Sequence, residues 1–186
     1  AKTGNYLVYF PSYQYMNDVY NVFAAQYPEM DTVLQQSGMS EEEREAFLLR
    51  FGQANERTLV GFCVLGGIYS EGIDLQGDRL IGTVVVGVGL PQIGKEQDRI
   101  RDYYNRNGGT GYEFAYQYPG MNKVLQAAGR VIRGEQDRGV VVLIDDRFNT
   151  PSYLRLFPEH WRGCRLVRTP EALEREIREF WQDRED

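Results

Sequence analysis

The 186-residue chain holds one histidine, His160, and two cysteines, Cys63 and Cys164. A single histidine leaves no base for a Ser-His-Asp or Cys-His arrangement and no histidine-rich metal site. Two cysteines so far apart give neither a disulfide framework nor metal-ligand spacing. Both lie in apolar stretches and are expected to be buried free thiols in a reducing cytoplasm. The phosphate-loop pattern G-x-x-x-x-G-K-[ST] occurs nowhere, so the chain by itself cannot build that nucleotide site. No apolar run approaches the ~18 residues of a membrane span, and residues 1–4 lead straight into a strand-like segment without a signal-peptide pattern. The expectation is a cytoplasmic chain with no membrane partner. Lysine is scarce: of 21 lysines and arginines only Lys2, Lys95 and Lys123 are lysine. The net charge of −6 argues against strong independent affinity for nucleic acid. It leaves room for a local basic strip, and arginine is the residue best suited to phosphate.

What is present alternates between strand and helix signals. Residues 5–10 (NYLVYF), 58–65, 80–88 and 139–144 read as buried strands, and 165–167 as a short one. Helices are expected over 14–26, 40–51, 93–107, 121–134 and 170–182. Ser12 or Asn17 helps cap the first; the second opens on a Ser40/Glu43 capping box; Thr169 caps the last. Gly82 to Gly89 has the wrong spacing for a dinucleotide loop and falls inside a strand. The longest irregular stretch is 108–119, whose aromatics are read as fastening a surface loop, with base stacking the weaker alternative. Alternation of this kind implies one α/β domain, 1–186, with a mostly parallel sheet and helices on both faces.

Three short constellations carry chemistry. In Gln126-Ala-Ala-Gly129-Arg130-Val-Ile-Arg133, a continuous helix would put Gln126, Arg130 and Arg133 on one face, with Gly129 permitting close approach. One amide and two guanidinium forks suit a polyphosphate or a transferring phosphoryl group; a solvated arginine face is the equal alternative. Gly66-Gly67-Ile-Tyr-Ser70-Glu71-Gly72-Ile73-Asp74 follows a buried strand, at the carboxyl end where open α/β sheets bind ligands. Phe10-Pro11-Ser12-Tyr13 follows the first strand in the same way. There Ser12 can donate to a phosphate oxygen and Tyr13 can stack on a base. For residues 66–74 a tight turn with solvated carboxylates is a respectable alternative, and residues 10–13, taken alone, are more often just a turn.

In this order the pieces resemble the C-terminal motor domain of the XPD/DinG group of superfamily two helicases. Phe10-Pro-Ser-Tyr13 looks like motif IV, Ser70-Glu-Gly-Ile-Asp74 like motif V, and Gln126-x-x-Gly129-Arg130-x-x-Arg133 like motif VI. Residues 82–91 and 137–147 also read like this group. The resemblance implies a three-layer RecA-like, phosphate-loop-NTPase-like fold. It implies that Arg130 and Arg133 reach the γ-phosphate of ATP held by a partner domain, Arg133 being the better arginine finger. Gln126 and Gly129 would sit beside them, with Gly72 and Asp74 near the nucleotide. Ser12, Tyr13, Ser70 and Glu71 would meet single-stranded DNA. ATP and Mg²⁺ would be bound mainly by an N-terminal helicase domain of the same polypeptide, which this sequence, beginning on alanine, does not contain. That other half would also carry any iron–sulfur cluster. The isolated chain is then expected to be inactive. Position 132 is isoleucine where many superfamily members have glycine. The alternatives are a non-catalytic RecA-like module that binds nucleic acid or protein, and a small-molecule enzyme using Glu71, Asp74, Asp145 and Asp146. For the latter no partner residues are evident, and Asp145 and Asp146 are expected to pair with Arg147 or Arg138.

Overall fold

The computed structural model describes residues 2–52, 56–70, 75, 77–132 and 137–182. Strand β1 (Asn5–Phe10) alternates in side-chain direction, and both of its faces are covered. Leu7 and Tyr9 enter the larger core with Phe47, Phe51, Val124 and Ala127. Val8 and Phe10 enter a second cluster with Met16, Tyr20, Phe23 and Phe62. Burying such a side chain contributes about 1.5–3 kcal/mol, so a strand apolar on both faces belongs in the middle of a sheet.

It lies there. β2 (Asp31–Leu34), β3 (Leu59–Val64), β4 (Gly82–Val86) and β5 (Val140–Ile144) complete a five-stranded sheet in the order β2-β3-β1-β4-β5. Every pairing is parallel. Parallel crossovers are right-handed, so the direction of travel decides which face each helix covers. The chain leaves β1 for the far edge strand β2, which places α1 (Tyr13–Gln26) on the face of Val8 and Phe10. It then returns through β3 and across to β5, which places α2 (Glu41–Leu49) and α4 (Tyr118–Ala128) on the face of Leu7 and Tyr9. The result is the three-layer, RecA-like arrangement.

The helix starts obey local chemistry. Ser12 Oγ accepts from the Tyr15 N–H at 3.2 Å and caps α1. The Ser40/Glu43 capping box of α2 is complete in both directions. Thr169 Oγ1 accepts from the Ala172 N–H at 3.2 Å at the start of the last described helix, α5 (Pro170–Gln182).

Three expectations are corrected, and one strand is added. β2 carried no clear sequence signal: four half-buried residues at a sheet edge are too few to show a period. Residues 165–167 form no strand, and Leu166 is 61% exposed. Cys63 is buried as expected, whereas Cys164 is exposed.

The supposed irregular stretch 108–119 is largely helical, a π-helix at Glu113–Gln117 running directly into α4. Pro119 explains the wide turn. A proline inside a helix has no N–H to give and crowds the carbonyl four residues back, and widening the preceding turn relieves both. The turn is pinned by Glu113, whose carboxylate accepts from Tyr118 Oη at 2.7 Å and from Arg155 at 2.5 Å. Hydrogen bonds from Thr110, Tyr118 and Arg155 hold that carboxyl down at about 2. The aromatics here do fasten structure: Phe114 stacks on Tyr104 of α3 (Lys95–Arg106), centroids 3.8 Å apart.

Candidate functional site

The first constellation stands at the carboxyl edge of the strands and leads into α1 on the face of Val8 and Phe10, whereas the described parts of the other two lie on the face of Leu7 and Tyr9. At the carboxyl edge of the strands, Ser12 is exposed, and Tyr13 is half-buried and turned inward. Tyr13 Oη accepts from Gln35 Nε2 at 3.0 Å, and Gln35 Oε1 accepts from the Val64 N–H at 2.8 Å. Gln35 is only 2% exposed, so this one amide ties the ends of β1, β2 and β3 together. The exposed aromatic of the turn is Tyr15, edge-on to Phe10. Replacing Gln35 with leucine is expected to destabilise the fold by about 1–3 kcal/mol, because the Val64 N–H and Tyr13 hydroxyl lose their partner. Chemical denaturation measures it; an unchanged midpoint would show that water satisfies both groups instead.

The connection from β3 to β4 starts at this edge with Gly66 at φ +74 and descends over the face of Tyr9. Tyr9 Oη donates to the Tyr69 carbonyl at 2.7 Å. Ser70 is fully buried, and its hydroxyl donates to the Gly67 carbonyl at 2.8 Å. Its side chain therefore braces the loop by bonding back to Gly67 and is buried within it. Glu71, Gly72 and Asp74 lie outside the described residues.

α4 runs antiparallel to the strands. Its first turn, at Gly120, abuts the carbonyl of Val88 beyond the end of β4, and Val131, just past its end, packs on Gly139, which lies against the Ile81 backbone at the amino-terminal edge. The expected helix over 121–134 stops at Ala128, with Gly129 as its C-cap. Arg130 and Val131 follow in a tighter turn, donating to the carbonyls of Ala127 and Ala128. The helical-face argument for Arg130 is thereby corrected: glycine ends the helix before it. Gln126 and Gly129 are exposed and Arg130 half-buried. Arg133 lies outside the described residues.

The turn still delivers Arg130 to the loop. Its Nε and Nη2 both donate to the Ser70 carbonyl, at 3.2 and 3.0 Å. The motif V-like and motif VI-like segments, sixty residues apart in sequence, are thus joined by one guanidinium fork.

The remaining acidic candidates are spoken for or solvated. Asp145 accepts from Arg147 Nε at 2.9 Å and Nη2 at 2.7 Å, which lowers its pKa, and Asp146 is exposed. Among the described residues no group of three His, Cys, Asp or Glu side chains is placed to hold a metal ion. Cys63, its thiol pushed well up by burial, and exposed Cys164 do not fit an iron–sulfur cluster. No helix of the described residues is long and apolar enough to cross a membrane. Sequence reasoning missed Gln35 and Lys123. Gln35 carried no signal, as a polar residue beside an unrecognised strand; Lys123 was one turn before Gln126 and was passed over.

Comparison with known proteins agrees with this arrangement. The chain is 29% identical over 169 residues to the ATP-dependent DNA helicase CHL1 of Candida albicans, covering 78% of this chain and 19% of that one. It is 32% identical over 154 residues to the ATP-dependent DNA helicase XPD of Sulfolobus acidocaldarius, covering 78% of this chain and 25% of that one. The chain therefore spans a quarter or less of these relatives' length. An XPD helicase structure superposes with a TM-score of 0.61 at 26% identity, over 82% of this chain and 26% of that one. The C-terminal domain of the DEAD-box protein Dbp5 shares the fold at a TM-score of 0.51 and 14% identity, over 96% of this chain and 82% of that one. The helicase C-terminal domain family matches residues 1–164, and with the parallel sheet and the Arg130–Ser70 tie in place the chain belongs to that family.

Proposed function

We propose that the chain is the second motor domain of an ATP-dependent DNA helicase. It supplies arginines to ATP held by an N-terminal domain of the same polypeptide, and it grips single-stranded DNA. The observation that carries the reading is the fork of Arg130 on the Ser70 carbonyl. It couples the turn that leads to Arg133 with a loop that starts at the sheet's carboxyl edge, where Ser12 is exposed. An arginine from a second body stabilises the charge of a transferring phosphoryl group, and hydrolysis releases that tie. Opening and closing of the two bodies then moves whatever the carboxyl edge holds.

ATP and Mg²⁺ fit this division of labour. The sequence has no phosphate loop, so the guanidiniums are what this chain adds to the nucleotide. Gln126, exposed one turn before the C-cap, stands beside them; Gly72 and Asp74 are assigned to the nucleotide side and Glu71 to the DNA side by the motif resemblance alone. Ser12 keeps its hydroxyl proton for a backbone phosphate while its oxygen caps α1.

The full-length polypeptide is expected to hydrolyse ATP faster with single-stranded DNA than without, and the isolated 186-residue chain is expected to show no turnover. Turnover by the isolated chain, or no response of the full-length polypeptide to DNA, would overturn the reading in favour of a different enzyme or a non-catalytic binding module.

A further inference from the structure

Lys123 stands at the carboxyl edge and has no role in the motif assignments. It sits on α4 in the turn before Gln126 and is half-buried. Its stem crosses bare backbone: a Cβ placed on Gly66 would lie 2.8 Å from Lys123 Cδ, 3.0 Å from Cε and 3.4 Å from Nζ. Packing of the methylenes against Gly66 holds the ammonium beside the end of β3, because a lysine stem lies on apolar or bare surface while its head seeks water or an anion.

Several arginines of this acidic chain are neutralised in place, including Arg57 by Asp31, Arg101 by Asp98, Arg147 by Asp145 and Arg155 by Glu113. Among the described residues no carboxylate pairs with Lys123. Drawing an ammonium partly out of water without a counter-charge costs free energy, and an anionic ligand offsets it.

Height along α4 distinguishes the anion. Five residues, about 7–8 Å of helical rise, separate Lys123 from the end of α4 at Ala128, and Arg130 follows in the turn beyond it. Arg130 is at the lower end, by the Ser70 carbonyl. Lys123 is at the upper end, by Gly66, on the edge that also presents Ser12. A triphosphate met by the motif VI-like arginines is therefore not centred on Lys123.

We propose that Lys123 binds a backbone phosphate of single-stranded nucleic acid at the carboxyl edge, next to Gly66. The contact is a point charge on a phosphate oxygen and carries no base preference. This rests on the second-motor-domain reading.

The test uses the full-length polypeptide and fluorescent oligo-dT, with Kd measured across a salt series. Lys123→Met keeps the stem over Gly66 and removes the charge; circular dichroism checks that the variant folds. Loss of one phosphate contact on a single strand should reduce the slope of log K against log salt by about 0.7. Kd should weaken by roughly three- to tenfold at low salt, and less at high salt, as a released counterion requires. KM for ATP at saturating DNA should stay unchanged, and Lys123→Arg should restore the slope. An unchanged slope and Kd in the folded Lys123→Met variant would overturn the proposal. So would a raised KM for ATP with an unchanged slope, which would assign Lys123 to the nucleotide. A wild-type polypeptide that does not bind oligo-dT at all would overturn the helicase reading itself, and this proposal with it.

Discussion

Arg133→Ala is expected to lower the DNA-stimulated kcat of the full-length polypeptide by about a thousandfold or more, with ATP and DNA still bound. A guanidinium supplied from a second domain is worth on the order of 10³–10⁵ in kcat for phosphoryl transfer, because it meets charge that develops only in the transition state. A residue acting there changes turnover and leaves ground-state binding nearly intact. Arg133→Lys is expected to recover little, since an ammonium replaces a planar fork. Arg130 behaves differently. Its Nε and Nη2 are already committed to the Ser70 carbonyl, so Arg130→Ala should lower stability as well as activity. Leaving that carbonyl short of a partner costs about 1–3 kcal/mol. The two arginines thus separate by thermal unfolding of the variants beside their ATPase rates. Unchanged turnover in Arg133→Ala would remove the motif VI reading and leave a binding module on the same fold.

The parts of the fold that were legible are those where one physical rule dominates. β1, β3 and β4 are short apolar runs covered on both faces, and no alternative burial competes; β5 was legible from its apolar run as well, although it lies half-buried at the sheet edge with Ile144 exposed. The Ser12, Ser40 and Thr169 caps are local chemistry and act as read. The failures lie where two rules compete. Helical periodicity runs through Gln126, Arg130 and Arg133, yet Gly129 ends the helix and a tighter turn takes over. The Gly108 to Pro119 stretch has the composition of a loop, but a π-turn lets Pro119 stay inside a helix. The candidate site was legible as three short motifs, not as a geometry. Ser70, which the motif resemblance sets against single-stranded DNA, is fully buried. Gln35 and Lys123 act through partners 29 and 57 positions away, Val64 and Gly66, and spacing along a single element cannot reveal such partners.

Gly120 is where the fold and the site depend on one missing side chain. It lies in the first turn of α4, after Pro119, against the segment that follows β4. A Cβ there would fall 2.5 Å from the Val88 carbonyl oxygen and 3.2 Å from Gly89 C and Leu90 N. All three are backbone atoms, so none can rotate away, and the helix itself must retreat. Gly120→Ala is expected to cost about 1–3 kcal/mol through overpacking, and Gly120→Val more. For a domain of this size each kcal/mol lowers Tm by roughly 2–4 °C, so the alanine variant should melt about 2–12 °C below wild type. Gly163→Ala is the control, because nothing lies within 4 Å of a Cβ there and its backbone is not left-handed. It should stay within about 0.5 kcal/mol of wild type. The consequence reaches the site because α4 carries Lys123 over Gly66 at one end and delivers Arg130 to Ser70 at the other. A helix shifted away from β4 loosens both contacts together. DNA affinity and ATPase rate should then fall together in Gly120→Ala, whereas Lys123→Met changes the first alone and Arg133→Ala the second alone. A Gly120→Ala variant as stable as wild type would mean that α4 does not seat on the end of β4, and the placement of Lys123 and Arg130 would fall with it.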